Sequence, residues 1–121
     1  MKCGEFVGSL LHAVTVAHVM HLKATGPGSY ARHVALGALY EGLGELADAV
    51  AESYQGAYGL IDDYPASFAM PTKEPLEWVK ELSRLVQEGR KAMPEDSEIQ
   101  NAIDEIQGLV NSTHYKLAFL E

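Results

Sequence analysis

The sequence predicts an all-α protein, a four-helix bundle with a long connection between helices two and three. Residues that break helices cluster in three places, at 25–29, 59–75 and 93–96, and they divide the chain into four segments. Each segment repeats apolar residues at helical spacing, and none alternates as a strand does. At roughly 3.5 Å per extended residue, the middle break is long enough to run the length of such a bundle.

The first predicted helix covers about residues 5–24. Its apolar residues recur at helical spacing, at Val7, Leu10, Leu11, Val14 and Ala17. This stretch loosely imitates a signal peptide, but His12 and His18 interrupt it and no small-residue cleavage site ends it cleanly. Two imidazoles also make it too polar for a membrane span. We therefore interpret it as a buried helix and predict no membrane association.

The second predicted helix begins with Ser29 as its N-cap and ends near Tyr58. Its apolar stripe comprises Leu36, Leu39, Leu43, Leu46, Ala47, Val50 and Tyr54. Glycines at 37 and 44 interrupt the helix at a cost of about 1 kcal/mol each relative to alanine. That cost indicates a packing reason for both glycines.

The third and fourth helices follow the long connection. The third begins near Pro75, a residue that suits the first turn of a helix, and its apolar face comprises Leu76, Val79, Leu82 and Val86. The fourth follows Pro94 and carries Ile99, Ile103, Ile106, Val110 and Leu117. The connection permits a single crossover along the bundle, and an up-and-down bundle with short loops remains an alternative.

Length, charge and cysteine content limit the classes of function. The 121 residues, 47% of them hydrophobic, fit one domain over 1–121. The net charge of −8 and the lack of a Lys/Arg-rich arm argue against nucleic acid as a partner. A single cysteine, Cys3, cannot form an internal disulfide, so we expect a cytoplasmic protein.

Two histidines bracket the first turn, in the stretch "HLKATGPGSYARH". His21 and His33 each lie six residues from Pro27, on the two arms of a helical hairpin. We therefore expect the two rings to face each other at the same height. His18 precedes His21 by three residues and shares its face, which makes it a third imidazole or an outer partner of the site.

Two carboxylates follow on the second helix. Asp48 and Glu52 are four residues apart and lie on the same stripe as His33, roughly 22 Å further along the axis. Metal ligands lie about 2 Å from the ion, so a single chain cannot unite the four groups. Two antiparallel copies of the second helix, related by a two-fold axis, would bring His33 of one subunit to Asp48 and Glu52 of the other.

The predicted axis of this homodimer passes near Glu41. Gly37 and Gly44 lie on the same stripe and would let the second backbone approach closely. Glu45, one turn before Asp48, would orient a ligand or attract cations. The competing interpretation is an interface held by imidazole–carboxylate hydrogen bonds without any metal.

The first two predicted helices resemble those of Dps proteins, the miniature ferritins of starved bacteria. The resemblance covers about residues 15–56 and rests on His21, His33, Asp48 and Glu52, whose three spacings match the family pattern, with "VAE" before the next serine as a common neighbour. It implies a ferritin-like bundle, a homodimer or a larger homo-oligomer, and a ferroxidase centre shared between subunits. In that family these four residues form the ferroxidase centre, at which Fe(II) is oxidised by peroxide or oxygen.

The sequence therefore predicts a ferroxidase with iron bound at two sites between subunits. Imidazole and carboxylate ligands also suit zinc or manganese. The alternative is a non-catalytic four-helix-bundle dimer, a structural or interaction protein that keeps a relic of the metal site.

Overall fold

The computed structural model describes residues 1–121 and consists of four α-helices without strands. They are α1 (Cys3–Lys23), α2 (Ser29–Tyr58), α3 (Pro75–Ala92) and α4 (Ser97–Phe119). The predicted fold class is confirmed. One boundary detail was wrong, because the N-cap of α2 is Gly28 and not Ser29, and no side chain caps this helix.

Most residues of the predicted apolar stripes, though not the exposed Leu11 of the α1 stripe, form a single core between the four helices. Its largest completely buried side chains are Phe6, Leu10, Leu36, Leu39, Leu43, Ile99, Ile103 and Ile106. The Phe6 ring fits against α3 because residue 89 is glycine; a Cβ at Gly89 would overlap the ring. The core thus uses close approach between α1 and α3 as well as large side chains.

The helices form a square in which α1 and α4 do not adjoin. Helix α1 packs against α2 and α3, and α4 packs against the same two helices. The segment 59–74 connects α2 to α3 and is called the link below. It passes Gly4 near the start of α1, His12 in the middle and Lys23 at the end.

This path decides the topology of the bundle. Because the link runs along the whole of α1, α3 begins at the end where α1 finishes and runs parallel to α2. The link therefore makes the single crossover of ferritin-like bundles. The alternative with short loops throughout does not apply.

Specific contacts seat the link on α1. Asp63 Oδ1 accepts a hydrogen bond of 2.8 Å from the backbone N–H of Gly4, which satisfies one free donor of the first turn. A Cβ at Gly8 would lie 2.8 Å from Cζ of Phe68. The Phe68 ring stacks on His12 at 5.1 Å between centroids. The two glycines of α1 thus let the link lie directly against the helix.

Helix α1 has the length and composition of a membrane-spanning helix, and it lies near the N-terminus. Within the bundle, however, its residues Phe6, Val7, Leu10 and Ala17 are completely buried. Burial in the core accounts for part of its apolar composition, since 44% of the apolar window is buried.

Candidate metal centre

The hairpin between α1 and α2 is fixed by its glycines and by one arginine. Gly26 and Gly28 have φ values of 85° and 73°, a left-handed conformation that favours glycine. Arg32 donates from Nη1 to the carbonyl of Pro27 at 3.0 Å and from Nη2 to that of Thr25 at 2.8 Å. The turn therefore holds the ends of the two helices in one arrangement.

His21 and His33 face each other across this hairpin, as the spacing predicts. Their rings stack with 3.6 Å between centroids and 19° between planes. His21 Nδ1 lies 2.5 Å from the carbonyl oxygen of His33, and His33 Nδ1 lies 2.9 Å from the carbonyl oxygen of His21. Each imidazole thus bonds to the backbone of the residue that carries the other.

These reciprocal bonds determine which nitrogen is left for a ligand. A carbonyl oxygen only accepts, so each Nδ1 carries a proton and donates it. In a neutral imidazole the lone pair then belongs to Nε2. Histidines that ligate metals commonly donate their other N–H to a carbonyl or carboxylate in this way. The pair therefore offers two oriented Nε2 lone pairs that could coordinate a metal ion.

A glycine and a tyrosine surround the pair. Gly37 is buried, and a Cβ there would lie 3.1 Å from both Cε1 and Nδ1 of His21. Tyr40 lies 5.3 Å from the His21 ring in an edge contact and stacks on His18 at 4.1 Å. His18 is 6.2 Å from His21 between centroids. His18 therefore lies beside the pair, where an outer partner would lie.

The predicted carboxylates are not part of this cluster. Asp48 and Glu52 are exposed on α2, and their carboxylates make no hydrogen bond or ion pair within the chain. Glu41 and Glu45 are also exposed, so the four acids form a continuous stripe along α2. No group of three or more His, Cys, Asp or Glu within one chain could hold a metal ion. The four predicted ligands would come together only with a second subunit, and that subunit stays a prediction.

The glycines of α2 differ in what surrounds them. Gly37 packs against the His21 ring of the same chain, and this contact accounts for the glycine at that position. A Cβ at Gly44 would meet nothing within 4 Å, and the place of Gly44 in a dimer interface stays a prediction. Since Gly44 has no packing partner inside the chain, it is the glycine on which the predicted interface depends.

Sequence reasoning missed two features of this centre. The reciprocal Nδ1–carbonyl bonds depend on the exact height of the two helices, which no spacing rule gives. The stacking of Tyr40 on His18 had a signal, since Tyr40 lies seven residues after His33 on the same face of α2. Tyr40 could therefore have been placed in the centre.

Comparison with known proteins relates the chain to others through most of its length. Residues 21–117 match the model of a family described as a family of unknown function, DUF5856. The chain is 31% identical over 120 residues to an uncharacterized 14.6 kDa protein in the mobD-ri intergenic region of Enterobacteria phage T4. That match covers 97% of this chain and 88% of the phage protein. No solved structure matches.

Proposed function

The chain belongs to the DUF5856 family of unknown function, and we propose that it is a homodimer that binds Fe(II) between its subunits and oxidises it. The His21–His33 pair carries the proposal. Both Nδ1 atoms are bonded to backbone carbonyls, which leaves both Nε2 atoms for a ligand. Because the rings are already ordered, little conformational entropy is lost when a cation binds.

The remaining ligands would come from the second subunit. Asp48 and Glu52 of one copy would approach His21 and His33 of the other, in two equivalent sites related by the two-fold axis. Their carboxylates are exposed and have no cationic partner within the chain. Nitrogen and oxygen donors together suit Fe(II), and also zinc or manganese.

In this proposal iron is the substrate. Each Fe(II) gives up one electron, so two Fe(II) and two protons convert one O2 to H2O2, or one H2O2 to two H2O, with the oxidant taken from solution. The residues of the chain bind and orient the cation, and the neighbouring Glu41 and Glu45 raise its local concentration. We place the activity in the cytoplasm, in agreement with the single cysteine, Cys3.

Aerobic oxidation of Fe(II), followed by absorbance, tests the activity. Asp48→Asn removes a ligand charge at nearly constant shape and should abolish oxidation above the buffer rate. Glu105→Gln changes the net charge equally at an exposed site on α4 and should behave as wild type. A wild-type rate equal to the buffer control, with Asp48→Asn indistinguishable from it, would refute the activity.

One observation favours a second candidate, a dimer without chemistry. The stacked rings and reciprocal bonds of His21 and His33 stabilise the hairpin without any metal. Metal content combined with mass in solution separates the two candidates. Two bound metals per dimer support the first, and a dimer that binds none under saturating Mn(II) supports the second.

A further inference from the structure

A pocket of about 320 Å³ lies at the end of the bundle where α1 finishes and α3 begins. Its walls come from the last turns of α1, the first turns of α2 and the end of the link. Met20 and Lys23 line it, whereas the neighbouring His18 and His21 do not. The pocket is therefore separate from the candidate metal centre.

Three of the nine basic residues of the chain line this pocket, namely Lys23, Arg32 and Lys73, against one acid, Glu74. The net charge of the whole chain is −8. Such a concentration of positive charge is unusual for this molecule. It indicates an anionic occupant.

The charges of these basic residues are available to a ligand. Arg32 is held by the neutral carbonyls of Thr25 and Pro27, which fix the guanidinium without neutralising it. Lys23 has no ion pair. Lys73 pairs with Glu81, but both side chains are about half exposed, and such pairs are weak enough to exchange.

The uncharged part of the lining is apolar apart from Thr25 and Thr72. It includes Val19, Met20, Leu36, Met70 and Pro71. The volume lies at the lower end of the range of about 300–1,000 Å³ that is typical of small-molecule sites. A bare inorganic anion would leave these apolar walls without a partner.

We propose that this pocket binds a small organic anion, with a carboxylate or phosphate group on an apolar body. The anionic group contacts Lys23, Arg32 and Lys73, and the apolar body contacts Met20 and Met70. Helix α3 begins at Pro75 in the same wall, and the positive end of its dipole adds to the attraction.

Methionine methyl NMR tests the proposal, because the chain has four methionines and two of them line the pocket. Titration with octanoate or phenyl phosphate should give saturable shifts of Met20 and Met70 and leave Met1 and Met93 unchanged. A response to one probe and not the other would support the proposal and identify the anionic group. Addition of a metal chelator should change nothing, which separates this site from the metal centre.

Variants and neutral analogues complete the test. Lys23→Gln and Lys73→Gln should each weaken binding about fivefold. Lys91→Gln should not, although Lys91 also forms an exposed ion pair on α3. The proposal is overturned if no methionine shifts at millimolar probe, if octanol binds as well as octanoate, or if inorganic phosphate binds as well as phenyl phosphate.

Discussion

At the scale of single residues, Gly37 shows how a missing side chain positions an imidazole. A Cβ at this position would lie 3.1 Å from two atoms of His21. That ring cannot move away cheaply, because it is hydrogen-bonded to His33 and stacked on it. A side chain at position 37 would therefore have to displace the His21 ring by a few tenths of an ångström against these contacts.

Gly37→Ala should consequently destabilise the protein by about 1 kcal/mol, because overpacking outweighs the gain in helix propensity. Gly108→Ala is the matched control, since a Cβ there meets nothing within 4 Å. It should stabilise the protein by about 0.5–1 kcal/mol. Urea unfolding measures both. An equal gain in stability for the two variants would show that the His21 ring is not held as described.

Tyr58 provides a residue-scale prediction about pH. Its hydroxyl donates to Asp96 Oδ1 at 2.5 Å, and this hydrogen bond is the main reason that the pKa of Tyr58 is raised. The protonated form is thus favoured in the folded state. The stabilisation is present below the ordinary tyrosine pKa and is lost as the pH rises through the raised pKa of Tyr58.

Tyrosinate formation is followed by ultraviolet absorbance as the pH is raised. Subtracting the titration curve of the Tyr58→Phe variant from that of the wild type isolates the ionisation of Tyr58. Asp96→Asn should lower its midpoint pH. The substitution removes no capping hydrogen bond, because the Asp96 side chain makes none to α4. An unchanged midpoint in Asp96→Asn would contradict the assigned cause.

At the scale of elements, the sequence was sufficient to locate the helices. Apolar periodicity and the breaks at Pro27, Pro75 and Pro94 predict all four helices, with boundaries close to those observed. The path of the link was left open between two topologies. It depends on contacts of Asp63 with Gly4 and of Phe68 with Gly8, which join residues nearly 60 positions apart and leave no local pattern.

The link offers an element-scale prediction. Phe68→Ala removes the ring that stacks on His12 and fills the space beside Gly8, so it should destabilise the protein by about 1 kcal/mol. Tyr64→Ala, at a similarly exposed aromatic residue of the link without a ring contact, should cost less. Urea unfolding gives the stabilities, and hydrogen exchange of 59–74 reports release of the link. Equal effects of the two variants would mean that Phe68 does not anchor it.

At the scale of the whole molecule, the candidate site is divided between what one chain shows and what a dimer would add. The equal spacing of His21 and His33 from Pro27 predicts that their rings meet, and the rings are stacked. Sequence spacing also placed Asp48 and Glu52 out of reach in one chain, where they lie exposed on α2. In the proposed dimer, the contact between two copies would depend on the exposed surface of α2, whereas apolar periodicity describes only the buried surface.

Gly44→Leu tests the proposed association. A single chain should accept leucine here, because a Cβ at Gly44 meets nothing within 4 Å and leucine favours the helix by about 0.5–1 kcal/mol. Two copies of α2 in close contact would not accept it, so the variant should be a folded monomer. Gly108→Leu, at an equally open glycine of α4, should keep the mass of the wild type.

Light scattering for mass, circular dichroism for folding and metal analysis should be applied to the same samples. Each proposed site takes two ligands from each of two chains. Gly44→Leu should therefore have the mass of a monomer and should no longer bind metal. A wild-type mass for Gly44→Leu would refute contact through α2. A monomer that still binds metal would refute the shared site, because the two imidazoles of one chain would then suffice without Asp48 and Glu52 of the other.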